Sequence, residues 1–206
     1  MEPRSLMVRA SAVAVDIVRG VRDGDLESPT PCTELNVRAL VNHLAYWTGV
    51  RGHAAGLKQA PHDDRFVDGF DFTGVAGWAD AYASRSAATA LVWSEPEAWA
   101  GETALTGAGG GSMPARFVGG IVLGEWLVHG WDLAVATGQQ VAVDVDDELA
   151  SALYEDIAGK AEMARRYGVF GPEVQVPADA PLFERALGLA GRDPSWRRQR
   201  GRPVGS

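Results

Sequence analysis

The most apolar stretch of the chain, residues 114 to 137, contains a glutamate and a histidine: Gly124-Glu125-Trp126-Leu127-Val128-His129-Gly130-Trp131-Asp132. Its apolar residues surround nearly every side, which predicts a buried helix over about 113–137, starting near Ser112 and Pro114 and closed by Gly138 at C′. On a helix, four residues turn through about 400°, so Glu125 and His129 point the same way, about 40° apart. A carboxylate and an imidazole among Val, Leu, Ile and Trp need compensation, because an unpaired buried charge is costly. Two solutions exist: the pair satisfies itself, as many Glu/His pairs at this spacing do, or it shares a metal ion. A second apolar helix carries Val41-Asn42-His43-Leu44, and two helices can bring His43 to the pair. His43, Glu125 and His129 are therefore the candidate ligands of an open-sided metal site of the kind used in catalysis.

The remaining pattern is also helical. Leu6, Ala10, Val13, Ile17 and Val21 recur at helical spacing over about 3–23. The prolines of Ser28-Pro29-Thr30-Pro31-Cys32-Thr33 keep the chain in a turn until Asn36, which caps a helix over about 36–58 with Leu40, His43, Leu44 and Trp47 on one stripe. Val75, Trp78, Ala79, Tyr82, Thr89 and Trp93 predict a helix over about 72–93, stopped by Ser94-Glu95-Pro96. An extended piece is expected near Glu102 to Thr106, before the flexible Gly109-Gly110-Gly111. Leu149, Leu153, Ile157 and Ala161 mark a helix over about 146–167, capped by Asp144 or Asp146, and a short helix is expected near 180–189. There is no fixed-period repeat, no phosphate-binding glycine loop and no Cys-x-x-Cys pair. The fold class is all-α: a bundle of four long helices with short extra elements and an irregular C-terminal segment.

Composition narrows the function. The chain of 206 residues fits a single domain over 1–196, followed by a basic tail, 197–206, expected to be disordered. The net charge of −8 opposes phosphate backbones, so a nucleic-acid partner is not expected, and a small molecule is. Arg116, Glu125, His129 and Asp132 interrupt the longest apolar run, so no membrane span is expected. The lone Cys32 excludes an internal disulfide framework, and Met1-Glu2-Pro3-Arg4 does not open a signal peptide; the expected location is the cytoplasm. Helical faces rich in Ala and Gly permit a homodimer.

Asp132, seven residues after Glu125, returns to nearly the same face. It could orient a ligand histidine through the histidine's other nitrogen, or contact an arginine on another helix. His53 is ten residues after His43, about 80° off its face, and His62 lies in a polar loop, so neither is expected to be a ligand. Cys32 is either a nucleophile or a small semi-buried cysteine. Trp47, Trp126 and Trp131 belong mainly to the core and, with Cys32, are the candidate pocket walls.

The segment from Thr30 through Cys32, Asn36 and Leu40 to His43 and Leu44 resembles a signature of the DinB-like superfamily. Gly124-Glu125-Trp126 through His129-Gly130-Trp131-Asp132-Leu133-Ala134 is similar to a second signature, that of the actinobacterial branch related to the N-terminal domain of mycothiol-dependent maleylpyruvate isomerase. Gly168-Val169-Phe170-Gly171-Pro172 and Gly191-Arg192-Asp193-Pro194-Ser195-Trp196 are also typical of that branch. The resemblance implies a DinB-like four-helix bundle holding a divalent metal, zinc first and nickel or iron next, on His43, Glu125 and His129. It also implies mycothiol as co-substrate, and an arginine-rich chain with only two lysines suits such a host. The branch usually has Trp where this chain has Leu35, which reshapes the pocket entrance. The isomerase carries a second domain for which this chain has no room, so a related reaction is expected rather than maleylpyruvate isomerisation itself. Three functions follow: metal-dependent thiol transfer to a small electrophile; a thiol-independent hydrolase, isomerase or cyclase; or a non-catalytic metal- or ligand-binding bundle.

Overall fold

The computed structural model describes residues 3–59, 70–105, 111–140 and 143–198. Four helical rods form the bundle. The first is α1 (Pro3–Arg19). The second runs through α2 (Val37–Tyr46), a π-helical segment (Trp47–Gly52) and α3 (His53–Gly56). The third is α4 (Trp78–Val92), followed by the single turn α5 (Pro96–Trp99). The fourth runs through α6 (Ala115–Gly124), a second π segment (Glu125–His129) and α7 (Gly130–Thr137). Outside the bundle, α8 (Asp147–Arg166) packs on α6, and α9 (Leu182–Leu189) packs on α8. No helix among the described residues is long and apolar enough to cross a membrane.

Capping sets three of these boundaries. Asn36 Oδ1 accepts the Ala39 N–H at 2.9 Å and Asp146 Oδ1 accepts that of Leu149 at 2.9 Å, so each satisfies an orphan donor of a first turn. Gly138 closes α7 in the left-handed region at φ 78°. The expected extended piece pairs as β1 (Glu102–Thr103) with β2 (Met113–Pro114), antiparallel; Thr106, Gly109 and Gly110 lie outside the described residues.

Three expectations change. The third rod starts at Trp78 and not near 72, because Asp71 caps a 3-10 turn over Phe72–Gly74 and Gly77 turns left-handed (φ 72°) just before the helix. Val75 therefore leaves the core stripe and is exposed. The second and fourth rods are not α-helical throughout, since each widens into a π segment, one containing Gly49 and Gly52 and the other flanked by Gly124 and Gly130. Arg197 and Arg198 of the tail are placed, with Arg198 Nη1 donating to Asp25 Oδ1 at 2.8 Å; residues 199–206 lie outside the described residues.

A tryptophan pair holds α6 in position. Trp93 is fully buried and donates through Nε1 to Gly52 O at 2.8 Å, while Trp99 donates to Trp93 O at 2.7 Å. The two rings meet edge to face, 5.2 Å between centroids, and close on the bare backbone of Gly119. A Cβ there would lie 2.5 Å from Trp99 Cζ3 and 2.9 Å from Trp93 Cζ3. Both rings are tied by their N–H groups and cannot swing aside. Gly119→Ala is expected to cost about 1–3 kcal/mol in urea denaturation; an unchanged midpoint would show that the rings are free to move.

Candidate metal centre

His43 projects from the end of the second turn of α2, and Glu125 and His129 from the two ends of the π segment in the fourth rod. One ligand atom from each of the three lies within 4.8 Å of the others. His43 Nε2 is 2.9 Å from Glu125 Oε2, and His129 Nε2 is 3.8 Å from the same oxygen. The two imidazoles meet edge to face with centroids 4.9 Å apart. Donors bound at about 2.0–2.1 Å around a tetrahedral ion stand about 3.3 Å from one another, and the two distances to Glu125 bracket that value. The donor set thus fits a divalent ion of the zinc, nickel or iron kind in ligand type and spacing.

Behind the histidine stands a buried ionic network. Asp132 is fully buried, and its Oδ2 lies 2.9 Å from His129 Nδ1. The Arg192 guanidinium reaches the same oxygen, with Nη2 at 3.2 Å and Nε at 3.4 Å. Both sequence readings of Asp132, as a partner of histidine and as a partner of arginine, are present together. The arginine lies on the turn after α9 and not on a helix. Gly191 occupies C′ there at φ 78°, with its N–H on Gly188 O at 3.0 Å and the Arg192 N–H on Leu187 O at 2.9 Å. This is a Schellman cap, and it sends Arg192 back toward the bundle. Asp132 Oδ1 is buried with no hydrogen-bond partner among the described residues.

These charges tune one another. Burial opposes the charged form of Glu125, but His129, His43 and Arg192 outweigh it and hold the carboxyl below the usual range. Burial likewise opposes the Arg192 cation, and Asp132 more than restores it. Burial pushes the Cys32 thiol up, with Arg192 only partly countering. Cys32 forms a second group with His129 and Asp132, again with ligand atoms within 4.8 Å of one another.

The triad opens on a mostly apolar cavity of about 580 Å³. Cys32 and Leu35 line one part of it, positioned by a turn in which the Thr30 hydroxyl donates to Leu35 O at 2.6 Å. α6 contributes Phe117, Ile121 and Gly124, α8 contributes Ile157 and Lys160, and Tyr167 and Phe170 follow. Of the candidate pocket walls, Cys32 faces the cavity, whereas Trp47, Trp126 and Trp131 do not line it. Trp126 and Trp131 are buried in the core, and Trp47 packs at its edge, 6.1 Å from the His43 ring. Glu125, Val128 and His129, at i, i+3 and i+4, share the face that meets the cavity, while Trp126 turns into the core. His53 belongs to neither ligand group, and burial lowers its imidazole's pKa; His62 lies outside the described residues. Sequence reasoning missed Arg192 and the α8 side chains. Arg192 had a signal, a glycine at C′ in a segment already marked as typical of the branch.

The sequence model of one family, described as "Mycothiol maleylpyruvate isomerase N-terminal domain", matches residues 8–134. Two relatives from Mycobacterium tuberculosis, "Uncharacterized protein MT0763" (strain CDC 1551 / Oshkosh) and "Uncharacterized protein Rv0738" (strain ATCC 25618 / H37Rv), are each 28% identical over 152 residues. The aligned region is 73% of this chain and 74% of each relative. No solved structure matches significantly.

Replacing Arg192 by Met would leave the Asp132 carboxylate buried beside one imidazole. The expected loss is about 3–5 kcal/mol, measured by thermal or urea unfolding, with part of it regained in the Asp132→Asn/Arg192→Met pair. A loss below about 1 kcal/mol in the single variant would show that the carboxylate needs no arginine.

Proposed function

The chain belongs to the family of the mycothiol maleylpyruvate isomerase N-terminal domain, and from that premise we propose that it is a divalent-metal-dependent enzyme using a low-molecular-weight thiol on a small electrophile. One observation carries the reading: His43, Glu125 and His129, 82 residues apart between the first two, converge on the wall of a largely apolar cavity of about 580 Å³. Zinc is the ion this set suits first, and mycothiol the thiol that the family's description suggests. A cation held there would lower the pKa of a bound thiol or water and so supply a nucleophile at neutral pH.

The chain's own residues prepare that chemistry. Asp132 accepts from His129 Nδ1, fixing the tautomer that leaves Nε2 free to bind. Glu125 is held ionised by its neighbours and supplies the negative ligand. The three residues would hold the ion from one side, with the cavity on the other, and the apolar walls would hold an electrophile away from bulk water.

Elemental mass spectrometry on untagged, as-purified protein is expected to find about one divalent ion per chain, with the ion lost from His43→Ala, Glu125→Ala and His129→Ala. Thiol transfer to a reactive electrophile should fall to background in the same variants. Full activity in His43→Ala, or no uptake of zinc, nickel or iron by the wild type, would defeat the reading. Turnover without any added thiol would replace thiol transfer by water or carbonyl activation at the same centre.

A further inference from the structure

The same cavity contains a second polar group, remote in sequence from the ligand triad. Asp156 and Lys160 stand one turn apart on α8 and both line the cavity. Lys160 is only 9% exposed, which is unusual for an ammonium group. Its Nζ lies 2.7 Å from Asp156 Oδ2 and 4.7 Å from the centre of the Phe117 ring. An ammonium carries three N–H donors. The Asp156 contact can use at most one of them well, and Nζ has no other partner among the described residues. A buried cation with donors left over is costly to keep unless something else uses them.

The pair is built into the wall of the cavity. Asp156 rests on the bare backbone of Gly120 in α6, where a Cβ would lie 1.9 Å from Oδ1. Any other residue at 120 would displace the carboxylate and, with it, the lysine. Burial pushes the Asp156 carboxyl above its ordinary range, with Lys160 pulling the other way, so the site can take a proton on Asp156 when a second anion arrives. Arg192 also lines the cavity, but its guanidinium is already engaged with Asp132.

Position along α6 fixes the distance between the two polar ends. Phe117, Gly120, Ile121, Gly124, Glu125 and Val128 all line the cavity, as one helical stripe should. From Gly120 to Glu125 is five residues and from Phe117 to Glu125 eight, which is about 7–12 Å of helix axis. The wall between them is apolar.

We propose that Lys160 is a carboxylate-reading subsite, and that the ligand is an elongated small molecule with an apolar body whose carboxylate lies about 7–12 Å from the atom that reaches His43, Glu125 and His129. The subsite itself stands on the cavity; only the distance to the reacting atom rests on the proposed function. A ligand carboxylate gives Lys160 charge-assisted hydrogen bonds, roughly twice as strong as those to a neutral hydroxyl.

Calorimetric titration of the full chain with octanoate and with octanol tests this. The wild type should prefer octanoate by about tenfold or more. Lys160→Met should lose that preference while still binding octanol, and Lys160→Arg should keep it. Glu125→Ala, which removes a triad ligand, should keep it too. No preference in the wild type, or an unchanged preference in Lys160→Met, overturns the proposal. A preference lost in Glu125→Ala but kept in Lys160→Met would place the carboxylate on the triad, overturning the subsite and supporting the metal centre. If Lys160→Met does not melt cooperatively, Asp156→Asn decides: freed of its partner anion, Lys160 should favour octanoate more strongly, and a preference equal to or below the wild type's overturns the proposal.

Discussion

The Asp132 carboxylate, fully buried and held on one oxygen by His129 and Arg192, ties the fold to the site. A charge with no access to water must be compensated by partners in place. Arg192 comes from the segment beyond α9, so that segment and the His129 ring are held by the same carboxylate oxygen. The C-terminal extension is therefore part of the centre, although the family match ends at residue 134. Docking α8 and α9 also completes the cavity, because the wall facing α6 comes from α8 and from Tyr167 and Phe170.

The two π segments give the bundle its chemical asymmetry. A π turn is rare, occurs inside α-helices and is frequent at functional sites. Here the segments touch each other, one following His43 and the other carrying Glu125 and His129. At that level of the fourth rod two polar side chains face the cavity while Trp126 stays in the core. Polar and apolar side chains thus separate within five consecutive residues. Glycines beside both segments lower the helical preference where the widening occurs.

Charge in the cavity is arranged at two levels. The triad, with Asp132 and Arg192 behind it, forms one cluster, and the Asp156–Lys160 pair forms another one helix away. Between them the walls are Ile121, Ile157, Val128 and similar side chains. A few placed polar groups in an apolar enclosure suit a small organic molecule.

Much of this was legible in the sequence for local reasons. Periodicity gave α1, α2, α6 and α8, and the caps at Asn36, Gly138 and Asp146 follow from side-chain and backbone chemistry that acts within a turn. Glu125 and His129 stood out because two polar groups in an apolar run demand partners, and His43 because it broke a second apolar stripe. The π segments, and the absence of Trp47, Trp126 and Trp131 from the cavity wall, were not legible: both depend on how two rods press together, and an averaged helical period carries no trace of that. Arg192 and Lys160 were hidden for the same reason. A charged side chain looks solvent-exposed in sequence until packing decides that it is buried, and only the tertiary structure supplied Asp132 and the Phe117 ring as the partners that make burial tolerable.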